Sequence, residues 1–293
     1  MNTQKTNIFG IGMSGLVGSR ISEQLADRYS FDNLSLDTGV DITNPQTLDK
    51  IRNDADHSAV LHLAALADVD ACEKDQALAY KINVQGTRNV VEACASRNKK
   101  IIYISTDFVF DGKNPPVGGY TEEDTPNPIN YYGQTKFEGE EVVRKSGLPY
   151  LILRITYPYR PGESPINVKP DFVHVIRDRL RNNQPTVGVV DQMITPTFID
   201  DIASSIDLLL HTESIGTYHV VGDQSLSPYD AVMLIAKQFG CDESLITKTT
   251  NEEFNKGKAP RPFKLITNNA KIKRLGVQMR GFEEGLQELR TEN

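Results

Sequence analysis

The 293-residue sequence predicts an α/β fold in which a parallel sheet is covered by helices on both faces. Two observations carry this expectation. The apolar runs "NIFGI", "AVLHLAA" and "KIIYIST" have no polar alternation, as expected of strands buried on both faces. Between them lie longer amphipathic stretches, so strands and helices alternate through the first half of the chain.

Taken in order, "NIFGI" is the first strand and "LVGSRISEQLADRY" the helix after it. "NLSLD" reads as a second strand and "PQTLDKIRN" as a short helix. "AVLHLAA" is followed by the helical "ALAYKINVQGTRNVVEACA", then by the strand "KIIYIST". "NYYGQTKFEGEEVVRKSG" reads as a helix stopped at Gly147, and "PYLILRI" as a strand ending at Ile155. The proline- and glycine-rich "TYPYRPGESPINVKP" then leads out of the sheet. Beyond it come helix "DFVHVIRDRLRNN", strand "PTVGVV", helix "FIDDIASSIDLLLHT" and strand "GTYHVVG". Two further helices, "PYDAVMLIAKQFG" and "GFEEGLQELR", flank a polar segment containing "APRPFK". The expected division is a main domain of residues 1–156 plus about 186–221, interleaved with a smaller mixed domain of about 157–185 plus 222–293.

Composition narrows the function classes. A net charge of -7 argues against nucleic acid or an anionic membrane as the main partner, because clustered Lys and Arg hold both. Cys72, Cys94 and Cys241 are odd in number and lack a CxxC pair, so neither a disulfide framework nor a zinc site is expected. A reducing cytoplasm fits. "MNTQKTNIFGIG" lacks the pattern of a secretory leader, and no segment has about 18 consecutive apolar residues.

"IFGIGMSGLVGSR" places Gly12, Gly15 and Gly18 three apart between a strand and a helix. Glycines there allow a sharp turn, close approach of backbone to a pyrophosphate, and tight packing of helix on sheet. The helix N-terminus offers free N–H groups to phosphate. This is a Rossmann-type dinucleotide signal, with Gly12, Ser14, Gly15, Leu16 and Val17 as the candidate cofactor contacts; Gly10 permits a second register. Asp37, at the end of the second strand, either binds an adenosine ribose and disfavours a 2'-phosphate, which favours NADH over NADPH, or is a solvated turn aspartate. Asp41 and Ile42 either flank the adenine or belong to a helix cap with Pro45 in its first turn.

Tyr132 and Lys136 stand four apart on one helix face, so the ammonium is expected to draw the phenol pKa below its usual value near 10. Tyr132 is then a candidate general acid. Ser105 and Thr106 end a strand on the side where open parallel sheets bind ligands. Thr106 either donates a hydrogen bond to a substrate oxygen or bonds local backbone in the turn.

With the glycine turn, "STDFVFDG" and "YYGQTKFEGE", the chain resembles the extended short-chain dehydrogenase/reductase superfamily, and within it the RmlD-like dTDP-4-dehydrorhamnose reductase family. Blocks such as "VLHLAALADVDACEKD", "KINVQGTRNVV", "LILRITYPY" and "DQMITPT" extend the resemblance over nearly the whole chain. It implies a reductase that moves hydride from NADH or NADPH to the C4 ketone of a nucleotide-linked 4-keto-6-deoxysugar. Tyr132 would protonate the forming alkoxide, Lys136 would hold the nicotinamide ribose and Thr106 would orient the ketone. Ala64 and Ala65 would line the cofactor cleft, with Ser105 beside it, and Asn83 would brace the strand ends. Some members form homodimers around a divalent ion, for which this sequence places no ligands. Phe108 stands where the family usually has tyrosine, and the chain has no tryptophan for the sugar pocket. The resemblance extends to two alternatives: a sugar-nucleotide epimerase or dehydratase, and the regulatory β subunit of methionine adenosyltransferase.

Arg154 and Arg261 are candidate partners of the substrate diphosphate, each against a structural ion pair. Asp191 and Gln192 lie either near the substrate or in a turn. His62 and His219 fall inside apolar strand patterns and read as core residues. Glu138, Glu140 and Glu141 read as a solvated helix face, and no cluster has metal spacing.

Overall fold

A computed structural model describes residues 5–289. The chain begins with β1 (Thr6–Ile11), α1 (Leu16–Gln24), β2 (Tyr29–Leu34) and α2 (Asp49–Asn53). It continues through β3 (Ala59–His62), α3 (Val69–Lys74), α4 (Gln76–Tyr80) and α5 (Thr87–Ala95) to β4 (Lys100–Thr106). There follow α6 (Tyr131–Arg144), β5 (Tyr150–Ile155), β6 (Pro158–Tyr159), α7 (Phe172–Arg181), β7 (Thr186–Val189) and β8 (Thr197–Phe198). The remainder holds α8 (Ile199–His211), β9 (Gly216–His219), α9 (Pro228–Phe239), β10 (Ile246–Thr249), α10 (Asn251–Phe254), α11 (Ala270–Arg274) and α12 (Phe282–Glu288).

Six strands form one parallel sheet in the order β2-β1-β3-β4-β5-β9. β4 shows why its central run, 101–104, carries no charged or alternating polar residue. Ile102 and Ile104 pack on one face with Ile21 of α1, Ile202 and Ile206 of α8 and Ile272 of α11. Ile101 and Tyr103 pack on the other with Ile51 of α2, Val90 of α5 and Val143 of α6. With a pleat of period two, burial of both faces leaves no polar position in that central run, and the polar Ser105 and Thr106 come only at the carboxyl end. Each such side chain contributes roughly 1.5–3 kcal/mol on burial. From β1 the chain first lays down β2, then returns to place β3 on the opposite side of β1. That reversal opens a crevice at the carboxyl ends of β1 and β3.

Two expectations change. The helical stretch 77–95 contains a π-helical segment, Lys81–Gly86, between α4 and α5. The strand at 186–189 does not join the main sheet: β7 pairs in parallel with β10, Thr186 opposite Ile246. Val187 is exposed, and Gly188 lies so close to α9 that an added Cβ would stand 2.5 Å from Tyr229 Cα. A one-sided strand of this kind suits a small covering layer rather than a sheet buried on both faces. Residues 186–198 therefore pack with the smaller layer, where β6 pairs with β8 and Tyr159, Val173, Phe198, Ile235 and Phe282 form the core. α8 then returns to pack on α1, and β9 extends the main sheet beside β5. Among the described residues no helix is long and apolar enough to cross a membrane.

Candidate active site

The turn after β1 depends on glycine at two points. Gly12 has φ 84°, and a Cβ there would meet the Ala64 backbone N at 2.9 Å. A Cβ on Gly18 would meet Met13 Cα at 2.6 Å and the Gly12 oxygen at 2.7 Å. The working register is therefore Gly12, Gly15 and Gly18; Gly10 lies inside β1 against the Met13 side chain. Gly15 is the N-cap of α1, and no side chain caps that helix. Its first-turn N–H groups are thus without a side-chain acceptor, the arrangement that suits an anion.

Two adjoining cavities follow the crevice and share Gly12, Gly15, Leu63 and Ala65 in their walls. The first, about 660 Å³, is lined by Ser14, Asp37, Asp41, Ile42 and Ala64 among others. Ser14 Oγ donates to both oxygens of Asp37 at 2.9 Å, which fixes that carboxylate at the cavity wall. Asp41 also belongs to the local turn, accepting from the Thr43 N–H at 2.8 Å, while Asn44 caps the 3-10 turn that starts at Pro45.

The second cavity, about 470 Å³, is bordered by Leu16 and Val17 on α1, by Ser105, Thr106 and Phe108, by Tyr132 and Lys136, and by Arg261. α6 starts where Asn130 accepts from the Gly133 N–H at 2.8 Å and donates to the Pro260 carbonyl at 2.9 Å. Tyr132 thus lies in the first turn and Lys136 one turn on, both toward the cavity. The Lys136 ammonium is buried 4.1 Å from the Tyr103 ring centre, within cation–π range. Thr106 is buried; its hydroxyl accepts from the Phe108 N–H at 3.2 Å, so it serves the turn while lining the cavity.

The expected lowering of the Tyr132 pKa is not found. Burial raises it, opposed by hydrogen bonding from Thr106. Burial also pushes Lys136 down to about 7, with Glu140 and Cys72 opposing. Both charged forms lose hydration in this cleft, so removing the Tyr132 proton is harder, not easier.

Residues 6–293 match the sequence profile of the RmlD substrate binding domain. The chain belongs to the RmlD family. It is 30% identical over 294 residues to a dTDP-4-dehydrorhamnose reductase from Aggregatibacter actinomycetemcomitans, covering 96% of this chain and 97% of that protein. Methionine adenosyltransferase 2 subunit beta from Mus musculus is 29% identical over 256 residues, 85% of this chain and 74% of that one. The crystal structure of a dTDP-4-dehydrorhamnose reductase from Bacillus anthracis in complex with NADP superposes with a TM-score of 0.90, at 31% identity, over 99% of this chain and 100% of that chain.

Several side chains of this RmlD-family chain lie elsewhere than expected. Arg154 does not reach the cleft: it is 1% exposed and bonds Glu140 through Nε at 2.9 Å and Nη2 at 2.8 Å. The guanidinium fork that suits a diphosphate is closed by a carboxylate. Glu140 is accordingly not a solvated acid but fully buried, and it also accepts from Ser105 Oγ at 2.6 Å and Arg144 at 2.7 Å. Ser105 thus lines the cavity with its hydroxyl bound on the far side. Asn83 is not in the wall of either cavity. From the π-helical segment it accepts from the Leu66 N–H at 2.8 Å and donates to Thr135 at 3.0 Å, tying the loop after β3 to α6. Arg261 borders the cavity while pairing with Asp70 at 3.0 Å. Asp191 and Gln192 bond backbone, at Asn251 and Pro262 respectively. His62 and His219 are buried, and burial holds both near pKa 3.

Asp107, Thr156 and Tyr157, which no sequence motif singles out, also line the second cavity. Asp107 was visible inside "STDFVFDG", but nothing local announces that a carboxyl there is 1% exposed. Tyr157 has φ 39°, an uncommon left-handed conformation for a bulky residue, and supplies an aromatic wall in a chain without tryptophan.

Proposed function

We propose that this chain reduces the C4 ketone of a nucleotide-linked 4-keto-6-deoxysugar, dTDP-4-dehydrorhamnose first among them, with a nicotinamide dinucleotide as co-substrate. The observation that carries the reading is the meeting of Thr106, Tyr132 and Lys136 in one cavity that opens onto the glycine-turn crevice. The residues suit such a cofactor: Gly12 and Gly15 leave room for a pyrophosphate at the uncapped start of α1, and Asp37 offers a fixed acceptor to ribose hydroxyls. When bound, the nicotinamide supplies the hydride. Tyr132, kept protonated by burial, donates to the carbonyl oxygen as negative charge develops there. Thr106 orients that oxygen, and the Lys136 ammonium holds ribose hydroxyls. Arg261, at the cavity edge, is the residue assigned to a phosphate of the substrate, which would compete with Asp70 for its guanidinium. The carboxylate of Asp37 favours NADH over NADPH, whereas the Bacillus anthracis relative binds NADP, so the preference is read by assaying both.

The test is consumption of NADH and NADPH by the purified chain over a panel of nucleotide 4-ketosugars. Stoichiometric oxidation with dTDP-4-dehydrorhamnose is expected. Coenzyme that copurifies and is not consumed would point to an epimerase. Binding without turnover would favour a regulatory role, the reading supported by similarity to the methionine adenosyltransferase subunit.

A further inference from the structure

We infer that Tyr103 is a positioning residue for Lys136, its ring face being the seat that keeps the ammonium charged and its N–H groups free for the coenzyme. The inference rests on the reduction proposed above, in which Lys136 holds ribose hydroxyls, and names the group that equips it to do so. Tyr103 stands opposite His62 across β4 and β3, on the sheet face that α5 and α6 cover. Its side chain is fully buried, and the Lys136 ammonium lies 4.1 Å from the centre of its ring. Two features press the ring against α6. Tyr103 Oη donates a long hydrogen bond, 3.5 Å, to the Lys136 carbonyl, and a Cβ on Gly139 would collide with that hydroxyl. One side chain thus meets Lys136 twice, at the backbone oxygen and at the ammonium.

The groups around Lys136 leave this task to the ring. Among the described residues no carboxylate pairs with Lys136: Glu140, one turn along α6, is closed by Arg154 and Arg144 and acts on the ammonium only from a distance. Cys72 of α3 donates its thiol proton to the Leu66 carbonyl, and burial pushes that thiol up to about 11, so it is neutral. His62 lies 5.6 Å from the Tyr103 ring and burial holds it neutral, near 3. Burial likewise keeps the phenols of Tyr103 and Tyr132 protonated, and Asp107, raised to about 7 by burial, lines the same cavity. An ammonium withdrawn from water without a counter-ion is costly, and burial brings that of Lys136 down to about 7. The negative face of an aromatic ring offsets part of this cost, and its attraction grows as water is excluded. A ring also differs from a carboxylate in what it takes: it attracts the charge without accepting the N–H donors, which stay open to hydroxyl oxygens.

The test follows the protonation of Lys136 itself. The Cε resonances of the coenzyme-free chain, labelled with carbon-13 at lysine, are titrated with pH, Lys136 being the signal lost in Lys136→Arg. The series comprises the wild type, Tyr103→Phe, Tyr103→Leu, and phenylalanine analogues with two and three ring fluorines placed at position 103. Fluorination drains the π face while nearly keeping the shape of the ring, so it separates charge from packing and keeps the test valid if Tyr103→Leu fails to fold. The midpoint in Tyr103→Phe should stay within about 0.3 of the wild type, fall stepwise with fluorine, and end about one pH unit lower in Tyr103→Leu, the size of a desolvated cation–π contact. NADH affinity at pH 7, read by fluorescence, should weaken about fivefold in Tyr103→Leu, because a one-unit fall from about 7 removes most of the charged form. A midpoint that fluorination leaves unmoved overturns the inference, whatever Tyr103→Leu does to the fold. A wild type that turns over no ketosugar while the midpoints shift as described supports the seat and overturns the proposed reduction alone.

Discussion

Tyr132 and Lys136 were legible in the sequence as a pair because helical spacing fixes them on one face. What spacing does not reveal is the dielectric around them. Burial acts on the two in opposite senses, holding the phenol protonated and bringing the ammonium to the edge of neutrality at about 7. Tyr132→Phe is expected to retain coenzyme binding while turnover drops by about 10²–10⁴, the usual share of a positioned general acid; turnover within threefold of wild type would remove Tyr132 from that role. Because kcat/KM reports groups of the free enzyme, it should fall as pH rises through about 7 and Lys136 loses its proton. Asp107, which burial raises to about 7, titrates in the same range and faces the same cavity. The alkaline limb is therefore measured also in Asp107→Asn, where it should persist; its disappearance would assign the titration to the carboxyl.

At the scale of elements, the buried Glu140 holds β4, α6 and β5 together. It receives Ser105 from β4, Arg154 from β5 and Arg144 from its own helix. Since Tyr132, Lys136 and Glu140 share α6, this carboxylate helps to fix the helix that carries the proposed acid. Removing it leaves Arg154 buried without its partner, so Glu140→Ala is expected to lower unfolding free energy by about 3–5 kcal/mol in a denaturant titration. A loss below 1 kcal/mol would mean the network is not buried as described. Gly18→Ala would drive a Cβ into the turn backbone, and a drop of at least about tenfold in coenzyme affinity is expected from calorimetry. The strand and helix alternation and the glycine turn were readable because each is a local pattern. The Glu140–Arg154 pair was not, because it joins residues on different elements and a charged helix position looks solvated until its neighbours are known. The pairing of β7 with β10 was hidden for the same reason, since it needs a strand about sixty residues further on, and nothing in the local pattern of 81–86 distinguishes a π-helical segment from an α-helical one.

For the whole molecule, buried neutral histidines set the acid limit. His62 and His219 have folded pKa values near 3 against an ordinary 6.5, so the unfolded chain binds more protons between those values. Their contribution is fully present above pH 6.5 and is lost as pH falls toward 3. Asp107 and Asp201, raised by burial to about 7 and about 6 from 3.8, and Glu122, raised as well, work in the opposite direction. Asp54, lowered to about 2, and Glu140, lowered by its arginine partners, add to the loss of stability in acid. The thermal midpoint should therefore decline from pH 6.5 toward pH 3, and a flat profile there would mean the imidazoles are hydrated. The interleaved layers return α8 and β9 to the main sheet and bring Arg261 from the chain's last quarter to the cavity edge. The whole chain is thus the working unit, and its reaction is tested most directly by isotope transfer. dTDP-4-dehydrorhamnose is incubated with coenzyme deuterated at the transferable nicotinamide position, and the product is read by proton NMR. The expected result is deuterium at the sugar C4, with one coenzyme oxidised per sugar in the wild type and almost none in Tyr132→Phe. Coenzyme that binds but stays unoxidised, or a product whose C4 hydrogen comes from solvent, would contradict the assignment.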